Sequence, residues 1–245
     1  MALVGGQDRA ALVLGARNLG GAVAEHLLGR GWKVAAVARS DDTLTQARQR
    51  GALAIAADAA DPGELERAVA RARDALGPLS LIVNAVSASR APGQGPFGGG
   101  PLADATLESF RGWGSAVAEQ SFTFLSIGAR ALRDAGGGTL IQVTGGSSRR
   151  AMPGRGPWAA GAFASRALVQ AAAQELRGEG IHVALLVVDA TIESLRTAPY
   201  TRETPRDALA DMADVAAAVE YLAEQGPRGM THELVLTPAG DRWLP

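Results

Sequence analysis

Short apolar runs alternate with amphipathic segments from residue 10 almost to the end of the 245-residue chain. Residues 10–15 (AALVLG) form the first run and end in glycine, and apolar residues then recur at helical spacing over 19–28. Residues 33–38 and 52–57 are further apolar runs, separated by the polar helical stretch 41–50. Asp61 and Pro62 supply a cap and a first helical residue for a helix over 64–76, which Gly77-Pro78 ends. Runs at 79–86, 139–144, 181–188 and 233–237 complete the series, with helical patterns over 106–133 (one helix or two), 158–177 and 212–224. On the helix after Trp158, Ala164, Leu168, Ala171, Ala172 and Leu176 are placed on one side. The Gly/Pro-rich residues 91–101 read as a mobile surface loop.

Strands that are apolar throughout, each followed by a helix, belong to a parallel sheet covered on both faces. The expected fold is therefore α/β, a doubly wound Rossmann arrangement with a mostly parallel central sheet of about seven strands. No linker or repeat divides the sequence, so residues 1–245 are expected to form a single domain. A formal net charge of −1 offers no basic field for a phosphate backbone, which argues against nucleic acid as a partner. The absence of cysteine excludes disulfides, thiolate metal sites and thiol catalysis. Residues 1–9 lack the pattern of a signal peptide and no apolar run has membrane-spanning length, so a cytoplasmic location and no membrane partner are expected. The histidines, at 26, 182 and 232, are too scattered in sequence to suggest a metal site.

The turn Gly15-Ala16-Arg17-Asn18-Leu19-Gly20-Gly21 lies where the first strand becomes a helix, so backbone N–H groups and the helix dipole could hold a pyrophosphate. At the end of the second strand an acidic residue would meet the ribose hydroxyls of NAD. Here Ala38 is followed by Arg39 and Ser40, and a guanidinium favours the 2′-phosphate of NADP(H), with Arg17 as a second contact.

In order and spacing the chain resembles the short-chain dehydrogenase/reductase family over essentially its whole length. The shared landmarks are the Gly15–Gly20 turn, Asp58 in ADAADP, Gly77-Pro78-Leu79 leading into LIVNAV with Asn84, VTGGSS, the helix ending AAAQEL, and THELVLTPAGDRW. The resemblance implies that Asp58 and Ala59 meet the adenine and that Asn84 and Ala85 support the cofactor. It also implies a dimer or tetramer paired through the helices after strands four and five, where Phe122, Phe124 and Leu125 offer apolar surface.

The resemblance also exposes departures. The glycine turn is one residue short and lacks its middle glycine. Counting back from Glu175-Leu176 puts the family's tyrosine at Trp158, its lysine at Ala162, its serine at Gly145 and its helix-four asparagine near Glu119 or Gln120. A shift of two residues would bring Ser147 to the serine position. No shift creates Tyr-x-x-x-Lys, because the only lysine is Lys33 and the two tyrosines are Tyr200 and Tyr221. An indole cannot surrender a proton, and alanine cannot replace an ammonium. Other polar residues near such a pocket are Ser148, Arg149, Arg150, Arg155 and Asp189; the serines read as loop residues, the 149–150 pair as exposed, and Arg166 as a surface arginine. Two functions follow. One is an NADP(H)-dependent oxidoreductase acting on an apolar or aromatic carbonyl or enone by a non-standard mechanism. The other is a chain without catalysis that senses NADP(H), serves as a scaffold or pairs with a related active subunit; outside both stands a repurposed non-redox enzyme.

Overall fold

The computed structural model describes residues 9–86, 91–195 and 197–240. The readings made on residues 1–8 and on the tail from Asp241 to Trp243 lie outside them. Strands β1 (Ala10–Leu14), β2 (Lys33–Ala38), β3 (Leu53–Ala56), β4 (Leu81–Asn84), β5 (Gly138–Gly145) and β6 (Ile181–Val188) follow one another with helices between. These are α1 (Leu19–Gly29), α2 (Asp41–Gln49), α3 (Pro62–Leu76), α4 (Leu107–Phe110), α5 (Ala116–Asp134) and α6 (Gly156–Leu176). A small excursion, β7 (Thr191–Ile192), α7 (Ala198–Thr201) and β8 (Leu209–Ala210), precedes α8 (Met212–Ala223) and β9 (Glu233–Leu236).

The seven-stranded sheet has the order β3-β2-β1-β4-β5-β6-β9 and every pairing in it is parallel. The order reverses at β1/β4, which is the doubly wound topology expected from the alternation. β1 and β6 are buried along their whole lengths, as runs such as IHVALLVV require when helices cover both faces. One core packs α3, α5 and α6 on one face through residues such as Leu65, Phe124 and Val169. The other packs α1, α2 and α8 through Val23, Leu44 and Val219.

Local signals set the element ends. Asp61 Oδ1 accepts from Glu64 N–H at 2.8 Å, while Glu64 Oε2 accepts from Asp58 N–H at 2.7 Å, which fixes the entry to α3. Asp211 Oδ1 caps α8 through Ala213 N–H at 2.8 Å.

Several finer expectations are corrected. The buried stripe of α6 is Ala162, Ser165, Val169, Ala173 and Leu176, so Ala171 faces solvent and the assumed side is rotated by one residue. Phe124 and Leu125 are core residues and only Phe122 of that trio is exposed. The 106–133 segment, read as one helix or two, holds two, α4 and α5, joined by a π-helical turn, Arg111–Ser115. The end of the 91–101 loop is docked: Phe97–Gly99 forms a 3-10 turn and Gly100 bridges to Arg155, while Gly93–Pro96 are exposed.

Candidate functional site

The C-terminal ends of β1, β4, β5 and β6 share one edge of the sheet, where doubly wound proteins bind ligands. At the first of these ends the chain turns so tightly that glycine is obligatory. Gly15 has φ +83°, and a Cβ there would stand 3.0 Å from the Ala85 carbonyl. A Cβ on Gly20 would stand 2.5 Å from Gly15 O, and one on Gly21 2.7 Å from Ala16 O. The N–H groups of Gly15 and Ala16 both donate to Val37 O at 3.1 Å, tying the turn to β2. The N–H groups opening α1 are different: the first turn of a helix has no intrahelical acceptors, and the Asn18 side chain does not cap it. Leu19, at the shortened part of the turn, is buried and opens α1, while Arg17 is exposed at its mouth. The turn thus presents backbone donors and a helix dipole beside Ala85, a cradle that side chains would fill and that fits a dinucleotide pyrophosphate.

At the β2 and β3 ends, Arg39 is largely exposed and its Nη1 lies 3.7 Å from Asp58 Oδ2. Ser40 precedes α2 and its Oγ bonds Thr43 Oγ1 at 2.8 Å. Asp58 also accepts from Ala60 N–H at 2.9 Å through Oδ1, and Ala59 beside it is buried. Arg39, Ser40, Asp58 and Ala59 therefore lie on the opposite side of the glycine turn from Asn84 and Ala85.

Asn84 ends β4 in a wholly buried amide network. Its Nδ2 donates to Gln120 Oε1 at 3.0 Å and to Gln142 Oε1 at 2.8 Å, and Gln120 Nε2 donates back to Asn84 Oδ1 at 3.0 Å. Asn84 Oδ1 also accepts from Val86 N–H at 3.2 Å. Of the two candidates on α5, Gln120 thus faces inward and Glu119 outward. The network welds β4, β5 and α5 beneath the site, since buried amides left unpaired are costly.

Gly145 ends β5 opposite Val188, and a Cβ there would meet only Val188 O at 3.8 Å, an ordinary contact. Ser147 and Ser148 are buried in the 3-10 turn that follows, and Ser148 Oγ donates to Gly145 O at 2.9 Å. Arg149 and Arg150 are partly buried: Arg149 lies 3.8 Å from Glu233 and Arg150 3.5 Å from Asp189. Arg166 likewise is no free surface arginine, since Nε and Nη2 grip Glu233 at 3.0 and 3.1 Å. The fork geometry crosses from α6 to β9.

Trp158 stands in the first turn of α6, with the buried Ala162 one turn on. Its ring packs 5.4 Å from Trp113 and 5.7 Å from Phe97, which is itself 4.9 Å from Trp113. The Arg155 guanidinium lies 5.2 Å over Phe97. Neither Trp113 nor Phe97 was singled out from sequence, because the glycines around Phe97 read as a loop signal. In fact Gly98, Gly99 and Gly100 let that segment press on α6: a Cβ at Gly99 would stand 2.5 Å from Pro157 Cγ. Far from this edge, His182 and His232 come together with ring centroids 5.5 Å apart, although their sequence spacing suggested no association. Among the described residues no three potential ligands gather as a metal site.

Fold and strand ends together define a doubly wound α/β protein with a glycine-lined cradle between β1 and α1. A family model described as short chain dehydrogenase matches residues 9–197, and the chain belongs to that family of oxidoreductases. It is 27% identical over 238 residues to the 2-(R)-hydroxypropyl-CoM dehydrogenase of Xanthobacter autotrophicus, covering 88% of this chain and 91% of that protein. An alcohol dehydrogenase from the archaeon Thermococcus sibiricus, solved with 5-hydroxy-NADP, superposes with a TM-score of 0.77 at 21% identity, covering 97% of this chain and 99% of that one. Acetoin dehydrogenase from Enterobacter cloacae gives 0.77 at 19% identity, covering 98% and 99%. These two structural matches speak to the fold. No described helix is long and apolar enough to cross a membrane.

Proposed function

We propose that the chain is an NADP(H)-dependent oxidoreductase that acts on an apolar or aromatic carbonyl or enone, or on the corresponding alcohol, without the family's tyrosine and lysine. The observation that carries this reading is the cradle made by Gly15, Gly20 and Ala85, with Arg39 exposed at the neighbouring strand end. The 5-hydroxy-NADP bound by the Thermococcus sibiricus enzyme accords with it. Once bound, the nicotinamide supplies the hydride chemistry. The chain's own residues hold the pyrophosphate at α1, meet the 2′-phosphate at Arg39 and Arg17, and flank the adenine with Asp58 and Ala59. Trp158, Trp113 and Phe97 form an aromatic cluster at the start of α6, suited to a flat or apolar substrate. Gly145 and Ala162 offer no proton, and Ser147, two residues past Gly145, is the hydroxyl-bearing candidate; a proton drawn from solvent fits these residues. Two expectations accompany the reading: a cytoplasmic location, and self-association through the exposed Phe122 and Phe163 on α5 and α6.

Fluorescence titration with NADPH and NADH tests the cofactor. The expected result is tighter binding of NADPH, with Arg39→Ala weakening NADPH about tenfold, as for loss of a charge-assisted contact, and leaving NADH unchanged. Equal affinity for both dinucleotides in the unaltered chain would remove the NADP assignment. Binding of NADPH without any turnover across a carbonyl and alcohol panel would favour the sensing role over the enzyme.

A further inference from the structure

Asp189 follows directly on β6, where Val188 pairs with Gly145. It is only 6% exposed. Its Oδ1 lies 3.5 Å from Arg150 Nη2, and its Oδ2 is buried with no hydrogen-bond partner. Room for the carboxylate exists only because residue 146 is glycine, since a Cβ there would collide with Oδ1. A carboxylate accepts at both oxygens, and leaving one of them buried and unmet is costly unless something else fills it. Nothing in the packing of β6 requires a charge here, because the eight residues of that strand are all buried and, His182 apart, apolar.

We propose that Asp189 anchors the nicotinamide end of the dinucleotide: Oδ2 accepts a hydrogen bond from the carboxamide NH2 or a ribose hydroxyl, and the charge favours the cationic, oxidised ring. This rests on the cofactor reading above. Arg39 and Asp58 place the adenosine half over β2 and β3, so the other half extends from the glycine turn across the ends of β4, β5 and β6. Three strand spacings, about 14 Å, separate β1 from β6. Ala162 and Trp158 occupy the positions from which the family resemblance implies an ammonium and a phenol at this half of the cofactor. An acceptor at residue 189 meets the same half through its donors instead.

Calorimetric titration of the unaltered chain, Asp189→Ala and the isosteric Asp189→Asn with NADP+, NADPH and 2′-phospho-ADP-ribose tests the assignment. Asp189→Ala is expected to bind NADP+ about tenfold more weakly while 2′-phospho-ADP-ribose, which lacks the nicotinamide, binds as before. Asp189→Asn is expected to lose the preference of the unaltered chain for NADP+ over NADPH, and it decides the matter if the alanine variant fails to fold. Unchanged NADP+ affinity, or equal weakening of the dinucleotide and the fragment, overturns the role of Asp189 while leaving the cofactor reading intact. If the unaltered chain binds none of the three, both readings fall.

Discussion

A methyl group at Gly20 would press to 2.5 Å from the carbonyl oxygen of Gly15, and neither backbone can withdraw without opening the β1–α1 turn. Gly20→Ala is therefore expected to destabilise the fold by about 1–3 kcal/mol, the range of overpacked sites. Thermal unfolding would register it, and NADPH titration should show binding lost along with the turn. Gly15 and Gly20 were legible because a glycine turn between an apolar run and a helix has few other uses. Asp189 was legible only as one polar residue among several. Its burial depends on Gly146, forty-three positions earlier, and no local pattern links the two. The amide network behaves similarly: Asn84 and Gln120 were singled out separately and Gln142 not at all, and only the meeting of three elements brought them within 3.0 Å.

Helices α5 and α6 meet through Ser121 and Ser165, whose hydroxyls are 2.6 Å apart, while Phe122 and Phe163 turn outward. Exposed phenylalanines on adjoining helices suit a second copy of the chain. Phe122→Asp is expected to shift the protein to a smaller species in analytical ultracentrifugation without altering NADPH affinity; an unaltered chain that sediments as a monomer would refute the interface. Periodicity identified both helices but misjudged their faces. A step of 100° separates neighbours on a helix, so an error of one residue in phase carries Phe124 from a supposed interface into the core. The docked Phe97 turn escaped notice for a related reason. Glycines signal conformational freedom, yet here they permit close approach to Pro157.

Across the whole molecule, two polar clusters couple distant segments and give stability a pH dependence. His182, buried where β6 begins, has its pKa lowered first by burial and then by His232, although the Thr231 carbonyl opposes this. A histidine whose folded pKa lies below its ordinary 6.5 takes up its proton more readily when unfolded, so its contribution is present above that pH and is lost as pH falls through it. Glu220 lies between α1 and α8, 2.7 Å from His26 and 2.6 Å from Arg30. Burial alone would raise its pKa; the bonds from Arg30 and His26 outweigh this and hold it below the ordinary 4.5. Its contribution is lost only as pH falls further. Unfolding midpoints are thus expected to be level above pH about 7 and to decline in two stages on acidification. His182→Gln should remove the first stage; an unchanged profile would show that His182 is not its source.

The chain's alternating pattern determined the parallel sheet, the order of its elements and the glycine turn, because each rests on residues near one another in sequence. Inventory alone also excluded Tyr-x-x-x-Lys, since no folding can supply a second lysine. Tertiary structure decided the rest: the tryptophan pair closed by Phe97, the amide network under β4, and the buried carboxylate against Gly146. Such contacts arise from parallel pairing and helix packing between segments tens of residues apart, and only their closure fixes which polar atoms are satisfied and which are not.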